Sequence, residues 1–425
     1  MSDEAKAFFC LPEELLCSEK ELFYMVLHKL PIKSLIVCTS VCKTWNSIIK
    51  SPSFVSSHLS HTISSYKEND THLCLLRFAP IDATRDCFSK DRFSLRFDDQ
   101  DLTECTTLHF PYRAKQGFDE FGSCNGLVLL MNGESDRLLK RLILWNPIVR
   151  KSLIIPEKDL SRLEVAGLGF DSTTNDYKVL TVSRIRDCDE TLKFELYSLN
   201  ANSWKQLDDV EAISHGLVVV ALREMAFLSG VLHFVALRRG SGGRPPMYLI
   251  LGFDLQGEVF HEIVLPDDTV HNHGEYTVHV CRESLAVVRF NPGNNEMDST
   301  LEIWVMKEYA VEGSWTKLSN ISLQGWARAL GFRKDGHLLL CMIRSHGWPW
   351  RDRVGQMVSF DPMSQEIKDL KICGNYSFFF FGSFVESLIL LDKGNDLSRY
   401  FEVESRYMTG TSSNAGISRN VVDCA

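Results

Sequence analysis

The sequence holds 13 cysteines but no CxxC pair. Structural zinc sites draw on such pairs with companion Cys or His at set spacing, and nothing here supplies one. The cysteines fall singly along apolar runs (Cys74, Cys124, Cys281, Cys341, Cys373), as reduced, buried thiols do. That implies a reducing compartment. The sequence also lacks the roughly 18 uninterrupted apolar residues of a membrane span. The nearest run, SFFFFGSFVESLILL, is broken by Gly382 and Glu386. The opening residues, MSDEAKAFFCLPEELL, are acidic and carry no signal-peptide core. Basic charge is short: 46 Lys and Arg against 55 Asp and Glu leave a formal net charge of -9. Binding a nucleic-acid backbone requires a positive field, so that class is excluded. The expectation is a soluble, cytoplasmic or also nuclear protein that engages neither membrane nor nucleic acid.

Catalytic signatures are missing too. There is no GxxxxGK phosphate loop, GxSxG elbow or HExxH helix. RRGSGGRPP has the glycines of a phosphate loop without its strand-to-helix setting, and reads as a basic surface loop. His271, His273 and His279 lie close in sequence, but no Cys or carboxylate accompanies them at ligand spacing. No metal, no cofactor and no catalytic residue is therefore expected, nor is there the setting of a cysteine that accepts ubiquitin.

What the sequence does contain begins with the stretch Ser18 to Leu59. Ser18 and Glu21 form a capping-box pattern, which predicts a helix starting there and ending at Pro31. Leu22, Met25, Val26 and Leu30 recur at spacings of three and four as one apolar face, widened by Phe23 and Leu27. A second short helix follows Pro31. A third covers Val41 to Ile49, with Val41, Trp45, Ile48 and Ile49 on neighbouring turns before Pro52 stops it. Roughly 40 residues in three helices bury too little surface to be secure alone, so they require a partner surface. Thr62 to Thr71 is polar, lacks periodicity and reads as a linker.

LPIKSL, VCKTW and IIKSPSFVSSHL, in this order and with these gaps, resemble an F-box, the segment by which substrate receptors bind the Skp adaptor of cullin-based ubiquitin ligases. The resemblance implies that Leu22, Val26, Leu30, Pro31, Leu35, Val41, Cys42, Trp45 and Ile49 form the adaptor interface or lie directly beneath it. After Leu35, where relatives often carry Arg and Phe, this sequence has Ile36, Val37, Cys38 and Thr39. Two alignments of the start are open. Either the first helix carries an insertion after Leu11-Pro12, or the F-box begins at Glu19 with LPEELL as a lead-in. EKELFYMVLHKLPIKSL aligns without gaps with the opening of pollen S-haplotype F-box proteins, which favours the second.

From THLCLLRF to about Asp392, short apolar or alternating runs follow one another between Gly, Asn, Asp, Pro and Ser turns. Trp145, Tyr197, Phe253, Trp304 and Phe360 recur in them at roughly 50 to 55 residues, the period of a propeller array. Blades stacked around an axis cover each other's apolar faces and protect strand edges. ELYSLNANSWKQL and EIWVMKEYAVEGSWTKL match most closely, so Trp204 and Trp315 are predicted at equivalent places between blades. The region Thr71 to Phe121 is the least regular. GSCNGLVLL, LWNPIVRK, GLGFDSTTNDYKV, FELYSLNANSWKQL and FVESLILL, over Gly122 to Leu391, resemble the F-box-associated domain of plant F-box proteins. Kelch double-glycine repeats and WD dipeptides are absent, so the likeness to kelch is architectural, and six blades are expected.

The predicted fold is a multi-domain α + β protein, a small N-terminal α-helical F-box followed by a large all-β, β-propeller-like (kelch-like) domain. The boundaries are 11–60 for the F-box, 61–71 for a linker, 72–395 for the propeller, and 396–425 for a C-terminal segment whose polar tail is expected to be disordered. The resemblance implies a non-catalytic substrate-recognition subunit of a Skp–cullin–F-box complex, holding a protein target for ubiquitination and proteasomal degradation. Its S-locus branch implies pistil S-RNases as targets. The target-facing loops are placed at Asp82 to Arg92, Arg184 to Glu190, Arg238 to Arg244 and Arg344 to Arg353, near Arg85, Arg186, Arg239 and Arg351. The alternative is a scaffold outside the ubiquitin system or a β-propeller hydrolase, which a carboxylate or histidine cluster in the central channel would favour.

Overall fold

Prolines divide the N-terminal helices. The computed structural model describes residues 16–80, 92–110, 118–132, 140–156, 158–185, 188–207, 217–219, 225–240, 246–266, 274–293, 299–311, 313–343 and 354–393. Helix α1 (Leu16–His28) ends before Pro31, which has no N–H to continue the ladder and itself caps α2 (Ile32–Cys38). Helix α1 is already under way at Leu16, so Ser18 lies inside it and the capping-box start is corrected. In α3 (Lys43–Lys50) the Cys42 Sγ accepts the Trp45 N–H at 3.4 Å, a cap that the sequence reading missed. Pro52 stops α3 and opens α4 (Pro52–Glu68), where Ser51 caps the Phe54 N–H at 3.3 Å.

Helix α4 overturns the linker assigned to 61–71. It runs unbroken to Glu68, and Val55, Leu59, Ile63 and Tyr66 carry a stripe at spacings of four, four and three onto the β domain. Serines and threonines between these anchors hid the period.

The β domain has six sheets. The first blade contains β1 (Leu73–Phe78), β2 (Arg92–Phe97) and β3 (Glu104–Leu108). The second is β4 (Phe118–Cys124), β5 (Leu127–Asn132), β6 (Leu142–Asn146) and β7 (Lys151–Ile154). The third is β8 (Leu163–Asp171), β9 (Asp176–Ile185), β10 (Cys188–Ser198) and β11 (Ser203–Gln206). In the fourth, β12 (Leu217–Val219) and β13 (Ala226–Leu228) both pair with β14 (Val231–Arg238), followed by β15 (Met247–Asp254) and β16 (Val259–Val264). The fifth is β17 (Glu275–Cys281), β18 (Ser284–Asn291), β19 (Ser299–Met306) and β20 (Trp315–Leu323). The sixth is β21 (Ala327–Phe332), β22 (Leu338–Ile343), β23 (Val354–Phe360) and β24 (Ile367–Asn375). Finally β25 (Phe380–Phe384) returns to pair with β1 as the inner strand of the first blade. That return explains why Thr71 to Phe121 looked irregular: this blade borrows a strand from the far end of the chain.

The inner strands β25, β4, β8, β13, β17 and β21 touch in that cyclic order and close a six-bladed propeller. Because neighbouring blades cover both faces, β1, β5 and β6 are buried at every position and are apolar but for Arg77, Asn132 and Asn146. Trp145, Tyr197, Phe253, Trp304 and Phe360 each lie buried on the third strand of their blade. Trp204 and Trp315 lie at equivalent places on fourth strands. Their Nε1–H groups donate to the Pro156 carbonyl at 3.1 Å and the Val264 carbonyl at 2.9 Å, each at the outer strand of the preceding blade.

Ring closure is also electrostatic. From the sixth blade, the buried Arg333 Nε meets the Asp98 carboxylate at 2.9 Å, and Lys368 Nζ meets Asp101 at 2.8 Å. The Lys334 N–H donates to Asp98 at 2.7 Å, while Lys334 Nζ reaches Asp70 at 2.8 Å. The Asp98–Asp101 turn of the first blade thus gathers the cations of the sixth.

Candidate functional site

Helix α1 is apolar on opposite sides. Leu27 is fully buried and enters a core with Ile32, Leu35, Ile49 and Phe54, while Tyr24 packs against the same cluster. The Tyr24 hydroxyl bonds Ser57 Oγ at 2.6 Å, and Phe23 meets Trp45 at a ring separation of 6.1 Å. On the outer side Leu22, Met25 and Val26 are 62%, 61% and 53% exposed. The single face read from the sequence therefore resolves into two: Leu22, Met25 and Val26 lie on the bare side, and Leu30 is half-buried. Among the described residues twelve large apolar side chains are exposed, and five of them, Leu22, Met25, Val26, Val37 and Val41, fall within the first three helices and their turns. Exposed apolar groups concentrated in so short a stretch are the mark of a binding surface rather than of scattered surface residues.

The nine residues placed at the adaptor interface separate by depth. Leu22, Val26, Pro31 and Val41 are exposed, and Leu30, Cys42 and Trp45 are half-buried. Leu35 and Ile49 are fully buried, so they support the surface from beneath and cannot touch a partner. Met25 and Val37 belong to the exposed set and were not among the nine. Met25 was visible in the stripe, but Val37 had no periodic signal in a seven-residue helix.

The inner side of the helices is not waiting for a partner, as the sequence reading required. Its core is completed by Val149 from the turn between β6 and β7 and by Leu388 from the segment after β25, with Ile148 and Leu391 against it. A second contact joins Leu59, Val55 and Ile63 of α4 to Ile389, Leu390 and Val385. The Tyr66 hydroxyl donates to Glu386 at 3.2 Å, and burial together with that carboxylate raises the phenol's pKa well above its ordinary value. A crevice of about 110 Å³ remains at the joint, between α4 and the turns carrying Asn175 and Asn200.

Three imidazoles cluster between α1 and α4, with His58 buried, His28 half-buried and His61 exposed. His28 lies 4.9 Å from His61 and 5.8 Å from His58, ring to ring. His58 is buried, and its Nε2–H donates to the Leu30 carbonyl at 3.1 Å. Burial lowers the His58 pKa, and the positive charge of His28 or His61 would lower it further, against a smaller upward pull from the Leu30 carbonyl.

The helices dock on the propeller face formed by the turns that link first to second and third to fourth strands. The four loops proposed to face a target lie between β1 and β2, β9 and β10, β14 and β15, and β22 and β23, all second-to-third connections, whose flanking strand ends point to the opposite face. Arg239 is exposed just beyond β14. Arg85, Arg186 and Arg351 lie outside the described residues, as do His271, His273 and the tail.

The central channel encloses about 500 Å³. Of its charged groups, Asp98 and Arg333 hold each other at 2.9 Å. His279 is buried, with a pKa lowered to about 4 by desolvation, and its Nε2 pairs with Thr277 Oγ1 at 2.9 Å. The Asp98–Arg333 pair ties the first blade to the sixth, whereas the His279 bond stays within β17. Among the described residues no group of three His, Cys, Asp or Glu side chains could hold a metal ion, and no helix is long and apolar enough to cross a membrane.

Helices with a bare apolar face, mounted on a closed six-bladed propeller, define a docking unit joined to a display domain. Family models agree: residues 8–57 match the F-box domain and residues 87–389 match the F-box associated beta propeller domain. The chain belongs to the F-box proteins that carry this propeller domain. It is similar to the F-box protein CPR1 of Arabidopsis thaliana, at 26% identity over 86% of this chain and 87% of the relative. It is likewise similar to the Arabidopsis F-box protein At3g07870, at 27% over 86% and 88%, and to the F-box/kelch-repeat protein At3g23880, at 25% over 76% and 85%. The match from residue 8 takes Leu11-Pro12 into the F-box, which goes against the start at Glu19.

Proposed function

We propose that this chain is a substrate-recognition subunit of a Skp–cullin–F-box ubiquitin ligase. The helical unit binds a Skp-type adaptor, and through it a cullin, while the propeller holds a target protein. The observation that carries the reading is helix α1, whose inner apolar side is filled by the chain itself while its outer side is bare. Such a subunit breaks no bond. It raises the effective concentration of the target's lysines at enzymes that do.

Target capture belongs, in this reading, to the second-to-third-strand loops on the face away from the helices, with Arg239 at the edge of the described part. The finer assignment is an S-RNase as target, in pollen. It draws support from the S-haplotype resemblance and from the net charge of -9, which suits a basic glycoprotein. Co-purification of the full chain with a Skp adaptor tests the first part, since Leu30→Ala/Pro31→Ala and Val26→Glu should each abolish it. Undiminished recovery of both variants overturns the proposal. Pull-down of S-RNases from pistil extract tests the second, and failure to bind any of them removes it.

A further inference from the structure

We infer that the adaptor-binding helices and the closure of the propeller ring are one coupled unit, with the segment Val385–Leu391 as the coupling element and Leu388, Ser387 and Asn146 as positioning residues. The inference rests on the proposed adaptor-binding role of the helices. Strand β25 closes the ring, and the chain leaving it does not disperse into solvent. Leu388 is 1% exposed and lies in the same cluster as Leu27, Leu35 and Phe54. The residues that close the substrate-display domain therefore also complete the core beneath the adaptor face.

Two motifs of the second blade, more than 200 positions earlier in the sequence, hold this segment. Asn146 of LWNPIVRK donates through Nδ2 to the carbonyls of Ser387 at 3.0 Å and Ile389 at 2.9 Å. Its Oδ1 accepts the Ile148 N–H at 3.0 Å, which shapes the turn that sends Val149 into the helical core. Gly126 of SCNGLVLL has φ +83°, and a Cβ there would stand 2.5 Å from both the Val385 carbonyl and Ser387 Oγ. Glycine is needed for the turn and for the passage of the closing segment. Ser123 Oγ donates to the Ser383 carbonyl at 2.8 Å and ties the same motif to β25.

The consequence follows from populations. A helical unit spanning 16–68 is small for independent stability, and removing Leu388 opens a cavity in it. If the segment detaches, the fraction of chains with an ordered adaptor face falls, and apparent affinity falls by that fraction. The closing segment comes late in the chain and the helices early. Adaptor competence therefore arrives only once the target-binding ring has shut. By linkage, adaptor binding must in turn secure the closing segment.

The test uses the full chain and a purified Skp-type adaptor. In the unmodified protein, saturating adaptor should slow hydrogen exchange at Ser387–Leu391 as well as in α1, by about five-fold or more. Leu388→Ala should weaken adaptor affinity by about five-fold or more, and Leu388→Met, which refills the volume, should restore it. Unchanged exchange at Ser387–Leu391 with adaptor bound, or undiminished affinity in Leu388→Ala, overturns the coupling. Val26→Glu separates the two ideas. If it abolishes binding while Leu388→Ala leaves it intact, only the coupling fails; if it too binds normally, the adaptor reading fails with it.

Discussion

The two sides of helix α1 are built from the same kinds of residue and meet different fates. Leu27 and Tyr24 face the chain's own core, where Val149 and Leu388 complete the packing. Leu22, Met25 and Val26 face outward and stay more than half exposed. A helix apolar all round is normally buried all round. The difference shows that composition gives the total apolar surface, whereas the mount on the propeller decides which half is stability and which half is affinity.

That division makes opposite forecasts for neighbouring residues. The largest effect is expected inside: Leu27→Ala should cost about 3 kcal/mol of stability in the helical unit, read by denaturant unfolding, because the cavity lies in a sealed core. Outside, Val26→Glu should cost at least about 2 kcal/mol of adaptor binding, a loss of about 30-fold or more that takes the complex below recovery in co-purification, and leave the melting temperature in place. If Val26→Glu lowers the melting temperature as far as Leu27→Ala does, the two sides are not distinct. Val41→Thr keeps the shape at the edge of the bare surface and removes apolar area. It should weaken adaptor binding by about five-fold with no change in unfolding.

The smallest expected effect is a pH dependence confined to the inner side. The folded pKa of His58 lies below the ordinary imidazole value of about 6.5, so the folded unit binds fewer protons than the unfolded chain. Its contribution is fully present above about pH 6.5 and is lost as pH falls toward the lowered folded value. The groups around it are the imidazoles of His28 and His61, together with Phe54, Thr62 and the Leu30 carbonyl, which carry no charge. Melting of the helical unit should drop on mild acidification, and His58→Gln should flatten the drop; an equal slope in the variant removes His58 as the cause.

Much of this was legible in the residues. Third-strand aromatics at a regular period led to the propeller architecture, because each blade repeats the same buried position, while the count of six was not contained in the five that were found. The Trp204 and Trp315 pair was readable for the same reason: each indole N–H finds a carbonyl on the blade before it. Helix α4 was not readable, because its stripe of Val55, Leu59, Ile63 and Tyr66 is diluted by Ser and Thr that a loop would also contain. Nor could sequence show that Leu35 and Ile49 are fully buried while Val37 is 68% exposed, since helix phase depends on what the helix packs against.

Local pattern by itself determined that there would be short helices broken by prolines, a long series of strands with both faces apolar, and a surplus of apolar residues near the start. Only the tertiary structure decided where the ends meet. Gly126, Asn146 and Leu388 are separated by up to 262 positions and converge on one joint. The reason is physical: periodicity reports contacts within a few residues, whereas ring closure brings together segments whose pairing no local propensity encodes.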